Sequence, residues 1–120
     1  MENKVLEQIK QAGRVDEKGI AFFCSIKGCN LSWVAVSING DTLYATELKQ
    51  GMFGTKVNVN SVYKLNKDQV ISANFENNND RWLYLAFNLE HGKKITLMTN
   101  DSEGAKLSQI LKTWNISETK

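Results

Sequence analysis

Apolar positions change their period twice along the chain. Val5, Leu6, Ile9 and Ala12 recur at the spacing of one helix face, and Gly13 follows as a stop, so residues 1–14 are predicted to hold a short amphipathic helix. From Ile20 to about Thr99 the period becomes two, with the β-branched and aromatic residues that suit half-buried strands. Beyond Thr99 the helical period returns. Asn100 or Asp101 can cap, Glu103 suits the positive end of a helix, and Leu107, Ile110, Leu111 and Trp114 form one apolar stripe.

Turn residues divide the central region. Asn39-Gly40 is a preferred type I′ pair, and a two-residue loop centred on it places Ile38 opposite Asp41, Val36 opposite Leu43 and Val34 opposite Ala45. Asn77–Asp80 is expected to join two aromatic-rich strands. Around His91, a two-residue loop sets Phe87 against Thr96, whereas a three-residue loop, Glu90–Gly92, sets Phe87 against Ile95 and Leu85 against Leu97. The second register groups the core better and gives Gly92 the left-handed position of a bulge. The expected order is a helix, about seven short antiparallel strands and a helix. This is a mainly β (α+β) chain, not a bundle or a doubly wound sheet, whose strands need crossover helices.

The strand faces raise a packing question. If "FFCSIKGCNLSWVAV" turns at Gly28-Cys29, then Phe22, Cys24 and Ile26 share a face with Leu31, Trp33, Ala35 and, one hairpin later, Tyr44. The opposite face then carries Phe23, Val34, Val36, Ile38, Leu43 and Ala45. Both faces are apolar, and water does not leave such a surface free. The N-terminal helix is the expected cover through Val5, Leu6 and Ile9, and a homodimer contact through Trp33 and Tyr44 is the alternative.

Composition narrows the partners. The length of 120 residues predicts one domain, and a 42% hydrophobic share supplies one core. A net charge of +2, from 15 basic and 13 acidic residues, does not favour nucleic acid as a general partner. Any electrostatic partner must therefore meet a local patch. Cys24 and Cys29 match neither a disulfide framework nor a zinc spacing, and are read as free thiols of a reducing compartment. The N-terminus lacks the apolar core of a secretory signal, and no apolar run reaches the ~18 residues of a membrane span, so a cytoplasmic location is expected. Lysine far outnumbers arginine and asparagine is abundant, which points to a low-GC bacterium or phage.

Catalytic chemistry finds no foothold. His91 is the sole histidine and stands at a turn tip, so neither a histidine metal pair nor a nucleophile–base relay can form around it. Asp16 with Glu17 and Asp101 with Glu103 fall at a loop and a helix start, where adjacent acids do not face one another. "GMFGTK" lacks the glycine spacing of a phosphate cradle. Cys29 is the more exposed thiol, yet no basic pair stands beside it to activate it. No catalytic residue, cofactor or metal site is expected, and the reading is non-enzymatic.

The stretch "DTLYATELKQGMFGTKVNVNSVYKL" resembles the centre of the bacterial pleckstrin-homology-like domains. Leu43-Tyr44-Ala45 stand where their third strand runs, Gly51, Gly54 and Lys56 stand in the following turn, and Val57, Val59 and Val62 stand where the next strand and a short helical bend begin. "EGAKLSQILKTW" is similar to their capping helix. Over residues 20–115 the resemblance implies a barrel of about seven antiparallel strands in two near-orthogonal sheets, capped by the C-terminal helix. It implies an interaction module that binds a protein partner through a strand edge or its second apolar face. Asn39-Gly40-Asp41 replaces the threonine and basic pair of many members. Only Lys27 stands on the first two strands, where phosphoinositide-binding members carry several basic residues, which argues against specific inositol-phosphate recognition.

Two further readings attach to particular residues. Between Glu47 and Asp68 the chain has Lys49, Lys56, Lys64 and Lys67 and no acid, around Met52 and Phe53. An exposed Met-Phe tip among lysines suits an anionic membrane surface. The simpler expectation is that Phe53 folds back onto the open end of the barrel and the lysines are solvated. Single-stranded nucleic acid is the other reading, with Trp33, Tyr44 or Trp82 as stacking platforms. It requires aromatics and lysines on one face.

Overall fold

Alternating residues and tight turns build an all-antiparallel sheet between two helices. The computed structural model describes residues 1–76 and 81–117. Helix α1 (Asn3–Gln11) precedes strands β1 (Ala21–Lys27), β2 (Trp33–Asn39), β3 (Thr42–Gly51), β4 (Gly54–Asn66), β5 (Val70–Glu76), β6 (Trp82–Leu89) and β7 (Lys94–Asn100), and helix α2 (Gly104–Thr113) follows. The strands form one sheet in the order β4-β3-β2-β1-β7-β6-β5. The expected turn at Asn77–Asp80 lies outside the described residues.

One face of the sheet and α2 enclose the main core. Phe22, Cys24, Ile26, Val34, Val36, Ile38, Leu43, Ala45, Leu65, Ala73, Leu85, Phe87, Ile95 and Leu97 pack with Leu107, Ile110, Leu111 and Trp114. The C-terminal stripe docks as its spacing predicts. Asn100 Oδ1 accepts the Glu103 N–H at the entry to the helical segment. At the other end the indole of Trp114 lies 6.3 Å from the Phe87 ring and donates to the Gly40 carbonyl at 2.9 Å.

The expected sharing of strand faces is corrected. The β1–β2 connection is the longer loop of residues 28–32, and it pairs Phe22 with Val36 and Cys24 with Val34. An odd shift of register exchanges the faces of one strand. Phe22, Cys24 and Ile26 therefore join Val34, Val36 and Ile38, while Phe23 joins Trp33 and Ala35 on the outer face. Gly28 shows why the loop is fixed where it is. Its φ is 104°, and a Cβ there would overlap the Lys94 carbonyl oxygen. The second hairpin pairs Ile38 with Leu43 and Asn39 with Thr42, so Gly40 and Asp41 form its loop. Gly40 has φ 61° and Asp41 a negative φ, the glycine-first arrangement of a type II′ turn. A shift of two residues keeps the faces as read. The third hairpin pairs Phe87 with Ile95 and Leu85 with Leu97, as expected, with both His91 and Gly92 at positive φ.

Helix α1 covers part of the outer face. Val5 and Ile9 are buried, and Val5 packs in a small cluster with Ala35, Leu48, Phe23, Trp33 and Val57. Beyond the helix, Arg14 donates to the Thr46 hydroxyl at 2.8 Å and to the Val59 carbonyl at 2.6 Å. The register explains that carbonyl's availability. Val62 faces Thr46 but Asn58 faces Glu47, so residues 59–61 of β4 bulge from the ladder. The odd insertion puts Val57 on the outer face, in the cluster with Val5 of α1. Arg14→Ala should cost about 2 kcal/mol, measured as a lower urea midpoint, because a charged donor of two bonds is lost.

Candidate functional site

Strands β3 and β4 pair without interruption from Glu47–Asn58 to Gly51–Gly54, leaving Met52 and Phe53 as the two residues of the tip. Their side chains are 93% and 95% exposed. The expectation that Phe53 folds back is thus corrected, because a ladder paired to its last residue leaves no loop to carry the ring inward. The two glycines have separate reasons. Gly54 takes φ 120°, which L side chains rarely adopt, and a Cβ at Gly51 would come within 3.1 Å of Lys56 Cε, which lies across it.

The structure divides the lysines that the sequence groups together. Lys49 and Lys56 face each other beside the tip, and Glu47 lies 3.8 Å from Lys49 Nζ. Lys64 pairs with Tyr44 at the far end of β4, with its Nζ 5.9 Å from the ring centroid. Lys67 follows there, its N–H bonded to the Asp41 carbonyl at 2.7 Å. An open groove of about 580 Å³ separates Phe53 and Lys56 from Glu2, Lys4 and Glu7 of α1. Both acids and lysines therefore stand near the apolar tip.

Trp33 and Tyr44 both occupy the outer face and are half-buried. Trp33 meets Phe23 edge-on at 6.0 Å. Tyr44 lies between Lys64 and the guanidinium of Arg14, 5.8 Å from its centroid. One feature of this face was not anticipated. Trp33, Ser25, Met98, Tyr84 and Glu76 fall in one row across five strands, and Phe23 and Trp82 stand in the next row. The signal was the phase of "RWLYLAF", where Trp82 and Tyr84 alternate with core leucines.

The remaining reactive groups stay apart. His91 is exposed, 4.0 Å from a Glu90 carboxylate oxygen. Cys24 is buried, and desolvation pushes its thiol pKa far above the ordinary value, whereas Cys29 is half-buried with Sγ 3.9 Å from the Leu31 carbonyl. Among the described residues no three His, Cys, Asp or Glu side chains group as metal ligands, and no helix is long and apolar enough to cross a membrane. No protein-family model matches the chain, and no curated protein matches it.

Proposed function

We propose that the chain is a non-enzymatic, cytoplasmic interaction module of the bacterial pleckstrin-homology-like kind, and that it grips a protein partner with the β3–β4 hairpin tip. The strand order with β4 and β5 at its two edges, and one core fed by every strand and closed by α2, support a barrel of two near-orthogonal sheets. The tip carries the functional reading. Two large apolar side chains project into solvent from a hairpin that is paired up to its last residues. Such a plug, ringed by mixed charge, suits an apolar pocket rimmed by polar groups. Anionic membrane is the weaker match, because Glu47, Glu2 and Glu7 offset the lysines near the tip, and Lys64 and Lys67 lie at the other end of β4.

The test is a double variant, Met52→Ser with Phe53→Ser. Its unfolding free energy should stay within about 0.5 kcal/mol of the parent, since exposed side chains away from caps and cores contribute little. Capture of a specific partner from the native cell should nevertheless be lost. Unchanged capture by the double variant overturns the reading. Co-sedimentation of the parent with anionic vesicles, abolished in the variant, overturns it in favour of a membrane.

A further inference from the structure

We propose that Asn39 is a site of spontaneous deamidation, restrained by the segment that leads out of α1, and that its conversion unfastens that segment from the β2–β3 turn. The turn lies at the other end of β3 from the hairpin tip. Asn39 Nδ2 donates to the Gly13 carbonyl at 2.7 Å, the Gly40 N–H donates to Asp16 Oδ2 at 2.8 Å, and the Gly40 carbonyl accepts the Trp114 indole at 2.9 Å. Asn39 and Gly40 are nevertheless exposed, so water reaches both.

The chemistry lies within neighbouring residues. The Gly40 nitrogen attacks the Asn39 carboxamide carbon, and the new C–N bond closes a cyclic imide while the Gly40 proton leaves with the Nδ2 group as ammonia. Water then opens the ring to an aspartyl or isoaspartyl residue. Glycine presents its nitrogen with no side chain to obstruct the approach, so the pair Asn39-Gly40 is reactive by composition. The fold opposes the reaction. Before the atoms can meet, the Gly40 N–H must leave the Asp16 carboxylate and the Asn39 amide must leave Gly13, and the first of these bonds is charge-assisted and the stronger restraint. Asp16 is itself held in place. Its N–H donates to the Ile38 carbonyl at 3.2 Å and its Oδ1 accepts the Lys18 N–H at 3.0 Å.

The product reverses the contact. A carboxylate at position 39 has no proton to donate, so the Gly13 carbonyl loses its partner and faces an acceptor, and the new negative charge falls one residue from the amide that Asp16 holds. Residues 13–16 are thereby loosened from the turn, with the bonds of Arg14 to Thr46 and Val59 left as their tie to the sheet. Asp16 guards the site that its own segment depends on.

The experiment incubates the full chain at neutral pH and body temperature and follows Asn39 by peptide mass spectrometry, with isoaspartate detected by enzymatic methylation. Slow conversion is expected, accelerated about tenfold or more by Asp16→Ala, the factor that releasing one charge-assisted hydrogen bond allows. Asp16→Asn keeps an acceptor oxygen without the charge and should fall between the two. The parent unfolded in urea supplies the unrestrained rate without any substitution, and it should convert faster than the folded Asp16→Ala variant. Asn39→Asp, which carries the product's charge, should be cut by trypsin after Arg14 or Lys18 several-fold faster than the parent, because cleavage follows local opening. Conversion of the native parent at the urea-unfolded rate overturns the proposal. Equal rates for the parent and Asp16→Ala, with thermal melts showing both folded, overturn it as well, and so does trypsin cleavage that Asn39→Asp leaves unchanged.

Discussion

Trp114→Ala should destabilise the protein by about 4 kcal/mol, the largest loss expected from a single side chain here. The ring is 1% exposed and sits among Phe87 and the apolar residues that every strand contributes. Its removal leaves a cavity that rigid strands cannot collapse to fill, and it strips the Gly40 carbonyl of its indole donor. Trp114→Phe separates the two effects. It keeps most of the apolar volume and should cost about 1–2 kcal/mol, near the value of the lost hydrogen bond and residual void. Urea unfolding of both variants reads the difference. A loss under about 1 kcal/mol for the alanine variant would mean that α2 does not seal the core.

Gly28→Ala is the second large effect, about 3 kcal/mol or more. Two penalties combine there, the positive φ and the overlap of the new Cβ with the Lys94 carbonyl oxygen of β7. Gly40→Ala is the natural control. Gly40 also has positive φ, at 61°, but a Cβ added there meets nothing within 4 Å, so only the conformational cost of about 1–2 kcal/mol applies. Equal losses for the two variants would refute the close approach of the β1–β2 loop to β7.

These two glycines also show where sequence reading stops. Gly28-Cys29 has the look of a turn centre, and local preference alone favours the short loop. The longer one is chosen because Gly28 must pass against β7, a neighbour about seventy residues away that no local pattern reveals. The same limit applies to β4. Val57 and Val59 alternate, and Val62 breaks the phase, so the bulge was written in the sequence, but its purpose lay with Arg14 of another element. By contrast, the α2 stripe and the Phe87–Ile95 register were readable, because each depends on residues close in the chain. The tip was half readable. Its bracketing glycines marked the turn, while the outward aim of Phe53 depended on how far the ladder ran.

The strand order has a consequence for assembly. Apart from β1–β7, each pairing in the sheet joins strands consecutive in the chain. The domain is therefore two meanders, β1–β4 and β5–β7, sewn along a single seam from Ser25–Met98 to Lys27–Thr96. Closing that seam means bringing together residues about seventy positions apart, the costliest loop in the topology, so each meander can form before the seam does. The short link between Asn66 and Val70 joins the two opposite edges of the sheet and carries no rung of any ladder. It is the natural point at which to split the chain into two fragments that re-knit through their shared seam and core.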